Sequence, residues 1–283
     1  MAKSFAGYVM TRSEREEIEI NSLLEAIFKT YGYDFRHYSK ASLKRRLQIF
    51  LEKSHLENYV QLSDCLIHNK EMFYQLLLQF SITVTEMFRD PEFYQAFRKH
   101  VVPILKTYPF IKIWHAGCAT GEEVYSMAIL LYEEDFLHKT TLYATDFNVE
   151  SLKIAKKGIY RATDFKQYIN NYNQFGGKNS FSDYYHASYG SVKINDFLKN
   201  RITFSHHNLV TDQVFGEMNV IICRNVMIYF DRLLQDRVVT LFKNSLCHHG
   251  FLCIGTKETL DFTVVKNNFS EICLREKIYQ RNI

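Results

Sequence analysis

The sequence predicts an α/β protein with a mostly parallel sheet, preceded by a small all-helical domain and carrying a small inserted β subdomain. Three observations lead to this fold class. Between Gly32 and Gly117 there is no glycine, and the apolar residues follow helical spacing. Beyond Gly117, apolar runs alternate with amphipathic segments, as strands alternate with helices in parallel sheets. A segment at about 160–200 is rich in Asn, Tyr, Ser and Gly and is too long for an ordinary connection.

Residues 1–85 are predicted to form the helical domain. Ser13 and Glu16 have the spacing of a capping box, which would begin a first helix that ends at Gly32. Further helices are expected where apolar residues recur every three or four positions, at residues 39–53, 56–68 and 70–80.

Residues 86–283 are predicted to form the α/β domain. Asp90 and Pro91 suit the N-cap and the first position of a helix. The insert is expected to contain a β-hairpin. Strands are predicted at residues 111–116, 141–145, 201–206, 219–223 and 251–255, and helices at 150–157 and 231–247.

Composition narrows the possible function classes. The six cysteines form no C-x-x-C pair and are interpreted as reduced, and the histidine pairs lack metal-ligand spacing, so no metal is expected. The net charge of +4 is too small to indicate nucleic-acid binding by itself. No apolar run approaches the ~18 residues of a membrane span, and no secretory signal is visible. We therefore expect a cytoplasmic protein without membrane insertion.

A glycine turn marks a candidate ligand site. Gly117 and Gly121 bracket the turn between a predicted strand and a helix, where backbone amides can approach a ligand closely. Their spacing differs from the G-x-G-x-x-G of dinucleotide-binding proteins. Glu122 and Glu123 stand at the helix start, where they would repel phosphates. The pattern therefore favours S-adenosylmethionine, which carries a sulfonium and an ammonium group, over a nicotinamide dinucleotide.

An acidic residue ends the next predicted strand. The carboxylate of Asp146 could accept both ribose hydroxyls of an adenosine cofactor. It could instead cap the following helix, although Asn148 is better placed for that role.

Four motifs in this order carry a family resemblance: ITVTEMFRD at 82–90, WHAGCATGEEVYS at 114–126, ATD at 144–146 and CRNVMIYFD at 223–231. With them, the sequence resembles the CheR chemotaxis methyltransferases, which methylate glutamate side chains of chemoreceptors. The resemblance implies a Rossmann-like class I methyltransferase domain, S-adenosyl-L-methionine as cofactor and S-adenosyl-L-homocysteine as product.

The resemblance also implies roles for individual residues. Arg89 and Tyr229 would be catalytic, Arg89 by orienting charged groups and Tyr229 by lying close to the transferring methyl group. The sequence departs from the common family pattern at Thr83, Gly117 and Val124, where Asn, Ala and Pro are more usual. The cofactor would be bound by Thr83, Thr85, Arg89, Gly117, Glu123, Asp146, Asn208, Leu209, Arg224 and Asn225.

A basic run lies in the predicted helix at 39–53. Lys44, Arg45 and Arg46 form either a solvated helical face or, as the resemblance favours, a positive surface that attracts the acidic methylation region of a chemoreceptor. The expected partner is therefore the cytoplasmic methylation region of chemoreceptors, and we expect the enzyme to be a monomer. In some family members the insert docks a receptor tail peptide; the sequence leaves this open here.

Three alternative functions compete with this interpretation. A methyltransferase of the same fold could act on a non-receptor protein or in a related signalling pathway. A non-enzymatic S-adenosylmethionine-binding regulator would not need the complete set of site residues. A nucleic-acid amino-methyltransferase would need an N/D-P-P-Y/F acceptor motif, whereas this strand end reads RNVM at 224–227.

Overall fold

The computed structural model describes residues 10–80 and 85–282. The chain divides into two compact units, Met1–Phe80 and Ser81–Ile283, whereas the sequence placed the division after residue 85. Among the described residues, no helix is both long enough and apolar enough to cross a membrane.

The N-terminal unit is helical, as predicted. Its first helix begins earlier than expected, because Thr11 and Glu14 form the capping box: Thr11 Oγ1 accepts a hydrogen bond from the Glu14 amide at 3.2 Å, and Glu14 Oε2 accepts one from the Thr11 amide at 2.8 Å. The prediction of a box at Ser13 was therefore wrong by two residues, since both pairs have the same spacing. The helix ends at left-handed Gly32, as predicted. The helices are α1 (Arg12–Tyr31), α2 (Lys40–Lys53), α3 (Tyr59–His68) and α4 (Lys70–Phe80).

Arg46 has a structural role inside this unit. It is buried, and its Nη1 donates hydrogen bonds to the carbonyls of Gln79 at 3.1 Å and Phe80 at 2.5 Å. These carbonyls belong to the last turn of α4, where the helix itself supplies no donors. Arg46 therefore does not contribute to an exposed positive surface, contrary to the interpretation from sequence. Neighbouring Arg45 is exposed.

The C-terminal unit follows the predicted alternation of strands and helices. Asn148 caps the helix α8 (Val149–Lys157), and Asp231 caps the helix α11 (Arg232–Ser245). The predicted bounds hold to within a few residues at most ends. The elements are α5 (Pro91–His100), α6 (Val102–Leu105), β1 (Ile111–Ala116), α7 (Glu122–Glu133), β2 (Thr140–Asp146), α8 (Val149–Lys157), β3 (Ile159–Arg161), α9 (Phe165–Phe175), β4 (Tyr185–Ser188), β5 (Ser191–Ile194), α10 (Asp196–Lys199), β6 (Ile202–His206), β7 (Met218–Cys223), α11 (Arg232–Ser245), β8 (Leu246–Ile254), β9 (Phe269–Cys273) and β10 (Ile278–Arg281).

Within the described residues the main sheet has seven strands in the order β6-β2-β1-β7-β8-β10-β9. The first five pair in parallel, and β10 runs antiparallel to both of its neighbours, β8 and β9, which confirms the mostly parallel sheet. The chain leaves β1 toward β2 and β6 on one side, then returns to β7 and β8 on the other. This reversal opens a crevice at the carboxyl ends of β1 and β7, where ligands bind in such sheets.

The insert is larger than the predicted hairpin. β4 and β5 form the hairpin, β3 completes a three-stranded antiparallel sheet, and the helix α9 lies between β3 and β4. The helix was missed because its residues are rich in Asn, Gln and Tyr. It is joined to the main domain by hydrogen bonds from Asn171 to the Met87 carbonyl at 3.0 Å and from the Tyr172 hydroxyl to the buried Glu133 carboxylate at 2.5 Å. The strands β9 and β10 were also not predicted.

The capping role of Arg46 gives a stability prediction. Replacing it with alanine leaves buried carbonyls without a donor and removes packed side-chain atoms, so we expect Arg46→Ala to lower the free energy of unfolding by about 2 kcal/mol. Arg45→Ala, at an exposed position one residue away, should change it by less than about 0.5 kcal/mol. Urea denaturation of the full chain, followed by circular dichroism, measures both; equal effects would rule out the cap.

Candidate active site

The glycine turn lies at the carboxyl end of β1, in the crevice of the main sheet. The amides of Gly117 and Cys118 donate to the carbonyl of Thr145 at 2.8 and 2.9 Å, which fixes the turn beside β2. Gly117 has φ +80°, and a Cβ at this position would lie 2.6 Å from a methyl carbon of Val226. The turn therefore needs glycine both for its backbone conformation and for its close packing against the segment that follows β7.

Asp146 organises the turn from the end of β2. Its Oδ2 accepts a hydrogen bond from the Ala119 amide at 2.9 Å, and its Oδ1 accepts one from the Asn148 amide at 2.8 Å. The helix α8 is capped by Asn148, whose Oδ1 accepts from the Glu150 amide at 2.9 Å, so the capping alternative for Asp146 does not apply. Burial raises the pKa of Asp146, while the two amides act in the opposite direction. Each carboxylate oxygen retains a lone pair for a ligand hydroxyl.

A buried cluster joins α5, α7 and the end of β7. Arg224 Nη2 lies 2.6 Å from Asp90 Oδ2, and Arg224 Nη1 lies 3.2 Å from Glu123 Oε2. The Arg224 side chain is 2% exposed and its guanidinium carbon lies 4.2 Å from the centre of the Phe93 ring. His115 Nδ1 lies 3.0 Å from the other oxygen of Glu123. Arg224 therefore holds two carboxylates that come from distant parts of the chain.

The electrostatics of this cluster suit a cationic ligand. Burial raises the pKa of Glu123, but the contact with His115 and the charge of Arg224 outweigh it, so the pKa of Glu123 lies below its usual value and the group is ionised. Two carboxylates share the one guanidinium of Arg224, so acidic side chains outnumber the guanidinium in these contacts. Asp90 is the N-cap residue of α5 and Pro91 begins the helix, as predicted, but Asp90 has φ +54° and its side chain binds Arg224 instead of making a capping hydrogen bond.

The segment before α5 brings further predicted residues to this edge. The carbonyl of Arg89 accepts a hydrogen bond from Arg224 Nη1 at 3.4 Å. The amide of Phe88 donates to Ser126 Oγ in α7 at 2.8 Å, which fixes the segment against the start of that helix. Thr85 is half-buried. Thr83 lies outside the described residues.

Asn208 and Leu209 follow β6, the neighbour of β2. His206, the last residue of β6, is paired with Asp146, so both predicted adenine contacts follow directly beside the carboxylate. Asn208 Oδ1 accepts a hydrogen bond from the Val210 amide at 3.0 Å, and Leu209 is buried. The Asn208 side chain thus shapes its own loop.

The segment after β7 carries Asn225 and Tyr229, both half-buried. Asn225 is left-handed, with φ +61°. The amides of residues 225–228 converge on the carboxylate of Glu258, at 2.7–3.3 Å. Sequence reasoning missed Glu258; the available signal was an acidic residue three positions after the glycine that ends a buried strand.

The basic run lies in the other unit and is partly neutralised there. Lys44 Nζ is 2.7 Å from Glu16, and Lys40 Nζ is 2.6 Å from Glu17. Of the three predicted substrate-binding residues, Arg45 is exposed, Lys44 is ion-paired at the surface and Arg46 is buried.

Comparison with known proteins identifies the family. A model described as the CheR methyltransferase SAM-binding domain matches residues 83–278, and one described as the CheR all-alpha domain matches residues 18–80. The chain belongs to the CheR methyltransferase family. A protein from Pseudomonas putida named putative methyltransferase Cher3 is 46% identical over 273 residues, which cover 96% of this chain and 100% of its own.

More distant relatives are also named as methyltransferases. The chemotaxis protein methyltransferase of Borreliella burgdorferi is 26% identical and covers 86% of this chain and 88% of its own, and that of Salmonella typhimurium is 31% identical and covers 66% and 63%. Among solved structures, a SAM-bound amino pentose methyltransferase from Micromonospora echinaspora aligns over 61% of this chain and 52% of its own, with a TM-score of 0.35 and 11% identity. That structural likeness is too low to support any argument.

The CheR family assignment makes this chain an S-adenosylmethionine-dependent methyltransferase with a class I fold. The residues of the edge fit that cofactor. The glycine turn allows close approach to the backbone, Asp146 retains acceptor capacity for hydroxyl groups, and the Glu123 cluster has the excess of carboxylates that suits a sulfonium and an ammonium group.

The glycine turn gives a prediction with a matched control. Gly117 and Gly176 share φ +80°, but a Cβ on Gly176 has nothing within 4 Å. We expect Gly176→Ala to cost about 1 kcal/mol of stability from backbone strain alone, and Gly117→Ala about 2 kcal/mol more from the collision with Val226. Urea denaturation measures the difference, and titration calorimetry should show weaker S-adenosylhomocysteine binding for Gly117→Ala only. Equal losses in the two variants would contradict the proposed close approach.

Glu122 gives a pH prediction. The residue is 5% exposed, and burial raises the pKa of its carboxyl group to about 7, while a hydrogen bond from Thr120 Oγ1 at 2.7 Å acts in the opposite direction. Because the folded pKa exceeds the ordinary 4.5, Glu122 stabilises the fold at low pH, and this contribution is lost as the pH rises from about 4.5 to about 7.

The neutral variant Glu122→Gln should not lose this contribution. Relative to the native chain, we expect it to gain about 3 kcal/mol of stability between pH 4.5 and pH 8. Denaturation curves for both proteins at several pH values test this; a constant difference across the range would disprove it.

Proposed function

We propose that this protein transfers a methyl group from S-adenosylmethionine to glutamate side-chain carboxylates of chemoreceptors, producing glutamyl methyl esters and S-adenosylhomocysteine. The choice of a carboxylate as methyl acceptor rests on one observation: three carboxylates at the site are already bound to other groups of the protein. Asp146 is held by backbone amides, and Glu123 and Asp90 are held by Arg224. These groups are engaged as acceptors and are poorly placed to remove a proton from an amine or a hydroxyl. A substrate glutamate, with a pKa of ~4.3, is already ionised and needs no base.

Glu122 does not change this argument. Its pKa of about 7 would suit a general base. However, its carboxyl group is buried against Thr120 beneath the turn, out of reach of an acceptor carried by another protein. Catalysis in this proposal comes from orientation of the two reactants and from removal of water around the acceptor carboxylate.

The proposed cofactor contacts come from residues at or after the carboxyl ends of β2, β6 and β1. Bound S-adenosylmethionine supplies a methyl group on a positively charged sulfur. Asp146 would accept the ribose hydroxyls, Asn208 and Leu209 would flank the adenine, and Glu123 would face the cationic end. The backbone at Gly117 would lie next to the ligand, because glycine has no side chain to separate them.

The residues at the reacting end have separate roles. Arg89 would orient the acceptor or cofactor carboxylate, and Tyr229 would shape the methyl pocket and could donate a hydrogen bond to the acceptor. Asn225 would contact the methionine portion, with Thr85 and Thr83 completing the wall. Arg224 was expected beside the methionine portion too. Because its guanidinium is bound to Asp90 and Glu123, we assign it a positioning role through Glu123.

The choice of chemoreceptors as substrates is supported by relatives named chemotaxis protein methyltransferases. Arg45 and Lys44 would attract the acidic methylation helices of a receptor. The reaction would take place in the cytoplasm, with the enzyme as a monomer. Arg46 is left out of this surface because its charge is used within the N-terminal unit. The second candidate acceptor is a glutamate of a non-receptor protein, or of a protein in a related signalling pathway.

The chemistry of the product tests the proposal. Incubation of the enzyme with methyl-labelled S-adenosylmethionine and receptor cytoplasmic fragments should label the receptor. Mild alkali should then release the label as methanol, because glutamyl methyl esters hydrolyse under conditions in which methylated amines are stable.

Receptor fragments in which the candidate glutamates are replaced by alanine serve as the control and should stay unlabelled. Label that resists alkali would overturn the glutamate assignment. Alkali-labile label on a non-receptor protein, with receptors unlabelled, would favour the second candidate acceptor.

A further inference from the structure

Glu258 lies in a concave backbone segment at the active edge, by which we mean the edge of the main sheet formed by the carboxyl ends of β1, β2 and β7. Neither the sequence pattern nor the proposed mechanism gives Glu258 a role. The residue is 6% exposed and follows β8. Its Oε1 accepts hydrogen bonds from the amides of Val226 at 3.0 Å, Met227 at 2.7 Å and Ile228 at 3.3 Å. Its Oε2 accepts from the amides of Asn225 at 3.2 Å and Gly255. One buried carboxylate thus organises the segment 225–228, which we call the acceptor loop.

The acceptor loop has the conformation of an anion-binding concavity. Asn225 is left-handed at φ +61°, and Val226 is right-handed at φ −109° and ψ −50°. Adjacent residues of opposite handedness point successive amides toward one place, where they bind an anion. In this protein the anion is the side chain of Glu258, which comes from a different strand end.

The turn that presents Glu258 packs directly against the same loop. A Cβ on Gly255 would lie 2.8 Å from Glu258 Oε2 and 2.9 Å from the Asn225 amide nitrogen. The Glu258 amide donates back to the Gly255 carbonyl at 2.9 Å, which closes the turn. The spacing between turn and loop therefore leaves no room for a side chain at position 255.

Backbone carbonyl groups in and just after the loop accept hydrogen bonds from helix α11. Gln235 Nε2, in α11, donates to the carbonyls of Met227 and Phe230, both at 3.1 Å. The amides of the loop are thus fixed by Glu258, and Gln235 binds one carbonyl of the loop and one two residues beyond it. These contacts set the positions of Asn225 at one end of the loop and of Tyr229, which directly follows its other end.

We propose that Glu258 is a positioning residue for the methyl-donor end of the cofactor: it fixes the acceptor loop and thereby the orientation of Asn225 and Tyr229. This inference rests on the proposed function for the roles of those two residues. A carboxylate is required because four acceptor lone pairs face the converging amides. The amide of a glutamine has one acceptor oxygen and would direct its NH2 donors at backbone N–H groups.

The test compares two ligands that share the adenosine portion. S-adenosylhomocysteine has the amino-acid portion, and methylthioadenosine lacks it. In Glu258→Ala, titration calorimetry should show S-adenosylhomocysteine binding weakened by about tenfold or more, and methylthioadenosine binding changed by less than about threefold. Glu271→Ala, which removes a surface carboxylate bound to Lys266, should change neither affinity.

Chemical rescue distinguishes positioning from a general loss of folding. The alanine variant leaves space beside the amides for a small carboxylate, so sodium acetate should restore S-adenosylhomocysteine affinity, and sodium chloride at equal ionic strength should not. Glu258→Gln, which fills the same space, is the second variant and should show the same split between the ligands without acetate rescue. It also serves if the alanine variant does not fold.

Equal weakening of both ligands, or no weakening of S-adenosylhomocysteine, would overturn the proposal. Neither measurement needs a methyl acceptor. Failure of the glutamate assignment would therefore leave the split between the ligands unchanged, and failure of the positioning role would leave the alkali-labile product unchanged.

Discussion

The buried guanidinium of Arg224 is the interaction on which the active edge depends. Its two carboxylate partners, Asp90 and Glu123, are separated from it by 134 and 101 residues in the sequence. It therefore joins the start of α5, the start of α7 and the end of β7 at one point. Removing Arg224 would leave both carboxylates without their shared cation, and breaking a buried ion pair in this way is strongly destabilising. The same contacts lower the pKa of Glu123 and keep it ionised.

Backbone amides held by carboxylates are the second recurring device at this edge. Asp146 fixes the glycine turn after β1 through the Ala119 amide, and Glu258 fixes the acceptor loop after β7. Val226 connects the two, because its side chain packs against Gly117 while its amide binds Glu258. The two loops that face the crevice are thus shaped by acidic side chains of the protein itself.

Sequence reasoning succeeded where the determining interactions are local. The strand β1, the helix α4 and the Asn148 cap follow from apolar periodicity and capping preferences, which involve residues a few positions apart. The four motifs identified the family, which the comparisons confirm. The capping box was misplaced because Thr11 and Ser13 begin equivalent patterns two residues apart.

It failed where a residue's role depends on a distant partner. The sequence around Arg46 is typical of a basic surface, but its guanidinium is buried and donates hydrogen bonds to carbonyls at the end of α4. Asp90 has the position of a helix cap, yet its carboxylate binds Arg224. Glu258 could not be predicted, because the loop that it fixes lies more than thirty residues earlier in the chain and becomes its neighbour only when β8 pairs with β7. Helix α9 was hidden by polar residues whose partners, Met87 and Glu133, belong to other elements.

The position of Glu258 near the C-terminal end of the chain has a consequence for synthesis. A nascent chain that ends before β8 already contains the turn at Gly117, Asp146 and the acceptor loop. The amides of that loop then have no carboxylate to converge on, so Val226, the residue that packs against Gly117, is not held in place. Domains fold as their segments leave the ribosome, N-terminal parts first. The crevice at the carboxyl ends of β1 and β7 is therefore completed only after the segment that carries Glu258 has been synthesised.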